Sequence, residues 1–91
     1  MEKFAHSNSR AKGTYKEFNI PGQRLCANVT CPVCGNTFSL SNHTITSNGN
    51  VSPSVICPQP GCTFQEYIHL DGWYRFNHDF LTKHYEEVKN A

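Results

Sequence analysis

Four cysteines stand in two close pairs, Cys31-Pro-Val-Cys34 and Cys57-Pro-Gln-Pro-Gly-Cys62, separated by the stretch Gly35–Ile56. Soft thiolates in pairs with short spacers are what one zinc ion needs to close a tetrahedron. The spacer Pro32-Val33 lets both sulfurs of the first pair converge through a tight knuckle. Gly35 supplies backbone freedom where the chain turns away. Pro58, Pro60 and Gly61 leave the second loop little entropy to lose. The expected cofactor is therefore one structural Zn²⁺ on Cys31, Cys34, Cys57 and Cys62. Two competing uses of the same cysteines are weaker. Disulfides need an oxidising compartment, and a redox CxxC pair needs a thioredoxin-like βαβ setting that this sequence lacks.

Other candidate ligands carry less force. Cys26 is close enough to Cys31 to compete for the ion, but its strand parity, shared with Thr30, makes a buried thiol the simpler account. His43, His69, His78 and His84 read as ordinary polar residues, with His43 the exception because it lies at a hairpin base. No catalytic residues are expected. Four cysteines close the open position that catalytic zinc keeps for water. Glu66 and His69, three apart on a strand, point to opposite faces. The deaminase His-x-Glu is absent, and so is any Ser/His/Asp set or phosphate-cradling glycine loop.

These ligands need elements to hold them. Ninety-one residues, 37% of them hydrophobic, make one small domain that a metal must help to fold. Residues 1–13 are polar and read as a mobile arm, and 14–20 as a short edge strand. Pro21-Gly22 is a turn pair. Leu25, Ala27 and Val29 alternate with polar neighbours, a strand delivering Cys31. Phe38 and Leu40 share one face, and Val51, Pro53 and Val55 share another. Asn48-Gly49 between them is the favoured hairpin-turn dipeptide. Phe64, Glu66, Ile68 and Leu70 alternate as one further strand, ended by Asp71-Gly72. Asn77 caps a helix over 78–89, whose Leu81, Tyr85 and Val88 form one stripe that should pack near Trp73 and Phe76. The expected fold class is a small β-rich zinc ribbon, with two zinc knuckles, antiparallel hairpins and one C-terminal α-helix. Its divisions are an arm (1–20), the ribbon module (21–73) and the helix (74–91).

The pattern Cys-x2-Cys-x22-Cys-x4-Cys, with Pro32 after the first ligand and Thr63-Phe64 after the last, resembles the Ogr/Delta zinc-finger family of phage late-transcription activators. The resemblance implies zinc on the four cysteines and a bridge between promoter DNA and RNA polymerase. It covers about a third of the chain. Only Cys31, Cys34, Cys57, Cys62 and Phe64 carry over. The run Val51-Ser-Pro-Ser-Val55, with Gly72-Trp73, is loosely similar to uncharacterised phage and bacterial zinc-ribbon proteins.

Charge departs from that family. No Lys or Arg occurs from Cys31 to Trp73, where Glu66 and Asp71 leave the segment net negative. The chain up to Thr30 carries Lys3, Arg10, Lys12, Lys16 and Arg24 against Glu2 and Glu17. Phosphate contact needs Lys and Arg, so nucleic acid is disfavoured for the ribbon and left to the arm. Instead, more than half of the stretch Gly35–Ile56 is Ser, Thr or Asn. An uncharged hairpin carrying Ile45 and Val51, with Trp73 and Tyr74 nearby, suits a protein partner. The leading expectation is a non-enzymatic, phage-type interaction module that docks on a host or viral macromolecular complex. The alternatives are an Ogr/Delta-like DNA-binding regulator and a structural subunit of a larger assembly. Met1-Glu2-Lys3 leads into a polar stretch, not a signal peptide, and no apolar run spans a membrane. The expected location is the cytoplasm, of a host cell if the protein is phage-encoded. Asn28-Val-Thr30 and Asn42-His-Thr44 are then chance glycosylation sequons.

Overall fold

The computed structural model describes residues 1–20 and 24–76. They form nine strands: β1 (Glu2–His6), β2 (Thr14–Ile20), β3 (Arg24–Thr30), β4 (Thr37–Ser39), β5 (Thr44–Ile45), β6 (Val51–Ser52), β7 (Val55–Ile56), β8 (Gln65–Glu66) and β9 (Ile68–Leu70). Residues 73–76 form a short helical turn. The expected helix over 78–89 and the Pro21-Gly22 turn lie outside the described residues. The architecture is the β-rich zinc ribbon that the cysteine spacing predicts, with a sheet larger than expected.

That sheet has five strands in the order β4-β3-β2-β1-β9. β2, β3 and β4 make an antiparallel meander, with Tyr15 opposite Val29 and Val29 opposite Phe38. β1 lies parallel to both neighbours, pairing Phe4 with Leu70 on one side and His6 with Tyr15 on the other. Parallel neighbours normally need a long crossover. Here residues 7–13 suffice, because only Ala5 and His6 lie beside Thr14 and Tyr15. The return loop is tied down at both ends: the Ser7 N–H donates to the Tyr15 carbonyl at 3.0 Å and the Gly13 N–H to the Thr30 carbonyl at 2.9 Å.

Two expectations are corrected by this arrangement. The segment that reads as a mobile arm contains a strand inside the sheet, with Phe4 fully buried. The segment that reads as an edge strand, β2, is flanked on both sides. A boundary near residue 20 would cut this continuous sheet. The cause is non-local. In β1 only Phe4 is buried and every other residue is exposed, so its alternation is too sparse to read. Its partner β9 is the last strand in chain order, far from it in sequence.

The core gathers Phe4, Tyr15, Val29, Leu40, Ile68, Leu70 and Trp73, together with Val51, Val55 and Cys26. Tyr15 meets Trp73 and Phe76 edge-on, at 6.0 and 6.4 Å between ring centres. The Tyr15 hydroxyl keeps its polarity satisfied by donating to the Asp71 carbonyl at 2.6 Å.

Two small hairpins complete the described structure. β5 and β6 pair Ile45 with Val51. The loop between them is not the tight turn expected from Asn48-Gly49 alone. The Gly49 N–H donates to the Thr46 carbonyl and the Thr46 N–H to the Asn50 carbonyl. Only Gly49 has positive φ in this loop, +99°. A turn over Thr46–Gly49 that ends in a left-handed glycine results. The glycine is also required for space, since a Cβ there would clash with the Leu70 carbonyl and lie 2.9 Å from Trp73 Cβ. β7 and β8 pair Val55 with Glu66 and Ile56 with Gln65. The strand expected from Phe64 to Leu70 is therefore broken at Tyr67 into two strands in different sheets. Val51 and Val55 are both buried, while Pro53 between them is exposed. No helix among the described residues is long and apolar enough to cross a membrane.

Candidate metal centre

Each cysteine pair sits where a strand ends and its antiparallel partner begins. β3 delivers Cys31, the chain folds through Pro32-Val33-Cys34, and β4 starts at Thr37. The knuckle is held by backbone bonds: Gly35 N–H to the Cys31 carbonyl at 3.0 Å, and Cys31 N–H to the Asn36 carbonyl at 2.8 Å. Gly35 takes φ +81°, the left-handed conformation that glycine adopts without a Cβ penalty. The Lys12 side chain lies across that glycine, its Cε 3.4 Å from where a Cβ would stand. In the second knuckle Cys57 follows β7 and its N–H donates to the Phe64 carbonyl at 3.1 Å. The loop closes when the Cys62 N–H donates to the Gln59 carbonyl at 3.0 Å.

The two knuckles face each other. All four sulfurs lie within 4.8 Å of one another. Cys31 Sγ is 3.7 Å from Cys62 Sγ, and Cys34 Sγ is 3.6 Å from Cys57 Sγ. A disulfide would bring sulfurs to about 2.05 Å. A tetrahedron with metal–sulfur bonds of about 2.3 Å has edges of about 3.8 Å. The observed separations match the tetrahedron, so these residues fit a metal ion in a four-thiolate site.

The electrostatics fit as well. Burial opposes the Cys31 thiolate, yet the Cys34 and Val33 N–H groups bring its thiol down to about 7. Burial pushes the Cys57 thiol up to about 12. The Phe64 N–H pulls Cys62 down, but burial and the Cys31 and Cys34 sulfurs outweigh it, and the net shift is upward. Four sulfurs this close resist becoming four thiolates without a cation among them. A bound divalent ion reverses that preference and deprotonates its ligands.

The other candidates do not join the cluster. Cys26 is fully buried in the core, its sulfur 3.9 Å from the carbonyl of its neighbour Ala27. His43 Nε2 is 3.4 Å from the Ser54 carbonyl, and its Nδ1 is buried without a hydrogen-bond partner among the described residues. His69 places Nδ1 2.8 Å from Asn50 Oδ1 and Nε2 3.5 Å from Asp71 Oδ1. The first of these contacts ties β9 to the β5–β6 hairpin. His78 and His84 lie outside the described residues.

The expected partner-binding set is largely interior. Val51 is 3% and Trp73 1% exposed, Ile45 is half-buried, and only Tyr74 stands out, at 57%. The correction has a packing cause. The hairpin tip folds onto β9, where Leu70 N–H donates to the Gly49 carbonyl at 2.8 Å. Among the described residues the exposed large apolar side chains are instead Val33, Ile56 and Tyr67, together with Tyr74 and Met1. One signal for Val33 is available in the sequence, since it is the apolar residue inside a short metal spacer and has no core to enter.

No protein-family model, no curated protein and no solved structure matches this chain.

Proposed function

We propose that this protein is a non-enzymatic binding module, stabilised by one zinc ion, that docks on a protein partner through the apolar rim of its metal site. The four-thiolate set supports zinc, the ion that soft tetrahedral sulfur sites hold most readily in small ribbons. Four protein ligands leave no open position for a substrate, which supports a structural role.

One observation carries the docking reading. Val33 directly precedes Cys34 and Ile56 directly precedes Cys57, the sulfurs of those two cysteines are 3.6 Å apart, and both aliphatic side chains are more than half exposed. Each knuckle thus carries an exposed branched aliphatic residue next to a metal ligand, apolar surface that a partner could bury. The phage-transcription resemblance makes a macromolecular machine such as RNA polymerase the partner class to try first.

The test is affinity capture with zinc-loaded protein and with a Val33→Ser/Ile56→Ser variant. The expected result is a partner retained by the native chain and lost by the variant, while metal content and melting temperature are unchanged. A capture profile identical for both proteins would overturn the reading.

A further inference from the structure

Between the 7–13 return loop and the β2–β3–β4 face lies a small open depression, bordered by Ser7, Arg10, Thr14, Tyr15, Lys16, Asn28 and the Thr30–Thr37 pair. The strand register explains the composition. Thr30 pairs with Thr37, and Lys16 pairs with Asn28. One side of the meander therefore presents neighbouring hydroxyl, amide and ammonium groups. No residue bordering the depression is acidic.

We propose that this depression binds a phosphate group. Arg10 supplies the planar fork of donors that suits phosphate oxygens, and it has no ion-pair partner among the described residues. Lys16 supplies a second positive charge. Its Nζ rests 2.9 Å from Glu17 Oε1, and Glu17 also holds His6 at 2.5 Å, so an anion draws Lys16 from a carboxylate that keeps another partner. Thr30 Oγ1 and Thr37 Oγ1 lie 3.0 Å apart. One hydroxyl donates to the other, which leaves one of the two O–H groups uncommitted between them.

The loop is built to hold Arg10 in place. Ser9 N–H donates to Ser7 Oγ, Ala11 N–H to Ser9 Oγ, and the Thr14 hydroxyl to the Ala11 carbonyl at 2.6 Å. Arg10 itself has φ +58°, the one positive value on a non-glycine residue among those described. Glycine would adopt that conformation more cheaply, yet the position carries a guanidinium. The phosphate can be free or part of a nucleic-acid backbone, and the charge of this site is compatible with either.

Zinc-loaded, isotope-labelled full chain is titrated with inorganic phosphate at constant ionic strength, and separately with a labelled single-stranded oligothymidylate. The expected result is saturable shifts at the amides of residues 7–16 and 37 with at least one of the two. Arg10→Gly should weaken that binding about tenfold or more, the scale of one charge-assisted hydrogen bond. The same variant should leave the melting temperature unchanged or raised, because glycine accepts the positive φ. Lys16→Gln should weaken binding without altering the fold. Saturation by phosphate alone identifies a free-phosphate site. Tighter oligonucleotide binding that Arg10→Gly abolishes identifies a backbone site. Saturation by neither probe, or binding that both substitutions leave intact, overturns the proposal. It stands apart from the docking reading, since Val33→Ser/Ile56→Ser should leave the phosphate response unchanged.

Discussion

Cys26 and Cys57 are both buried thiols, yet they are held there for different reasons. Cys57 is one corner of a four-sulfur cluster, whereas Cys26 fills space among apolar side chains opposite Phe18. Substitution should separate them. Cys57→Ser should reduce bound metal from one equivalent to well below one and unfold the domain. Cys26→Ala should keep one equivalent by elemental analysis and cost only about 1–2 kcal/mol in denaturant melts, the scale of a small core truncation. Tyr15 offers a pH test at the same scale. Burial first, then the Glu17 and Asp71 carboxylates, push its phenol up to about 12, against a smaller opposing pull from Arg75. The folded state thus favours the neutral phenol. Its contribution to stability should be intact below about pH 10, the ordinary tyrosine value, and be lost as pH rises toward about 12. Tyrosinate absorbance should show a late component that disappears in Tyr15→Phe.

At the scale of elements, legibility follows the range of the contacts. The strand leading into Cys31 and both knuckles can be read from the sequence because alternation and ligand spacing are local signals. β1 cannot, because nothing near it in sequence shows that Phe4 pairs with Leu70. Asn48-Gly49 shows both cases at once. The glycine takes the positive φ that its residue type announces, but its second task, making room for the Leu70 carbonyl, depends on a strand much further along the chain. Val51 and Trp73 read as partner-binding candidates for the same reason: the sequence does not show that the hairpin carrying Val51 lies against β9, with Gly49 packed on Trp73. Gly49→Ala should therefore be far costlier than an ordinary turn substitution, about 2–4 kcal/mol, by adding backbone strain to a steric clash. Phe4→Ala should cost about 3–5 kcal/mol, as for a buried aromatic. Were residues 1–13 a detached arm, urea titration would show no difference from the native chain.

For the whole molecule, the metal site and the sheet divide the task of holding the fold. The first knuckle joins β3 to β4 and the second joins β7 to β8, two pairs that belong to different sheets. The four sulfurs tie the β7–β8 hairpin to the first knuckle, whereas β1 and β9 close the sheet beside a core that includes Phe4, Tyr15 and Trp73. A five-stranded sheet with so much aromatic packing is more core than the composition suggests, which raises the question of whether it survives alone. The usual size of a structural metal's contribution argues against it. Without a cation, the converging sulfurs lose the attraction that holds the two knuckles together. Structural zinc in small modules contributes roughly 10–16 kcal/mol of apparent binding energy, comparable with the entire stability of a domain this size. Chelation at neutral pH should therefore abolish amide dispersion in residues 25–73 and, because Tyr15 and Trp73 share one core, the near-ultraviolet signal as well. Loss confined to the knuckles, with the Trp73 environment preserved, would instead show that β1, β2 and β9 form a fold independent of the metal.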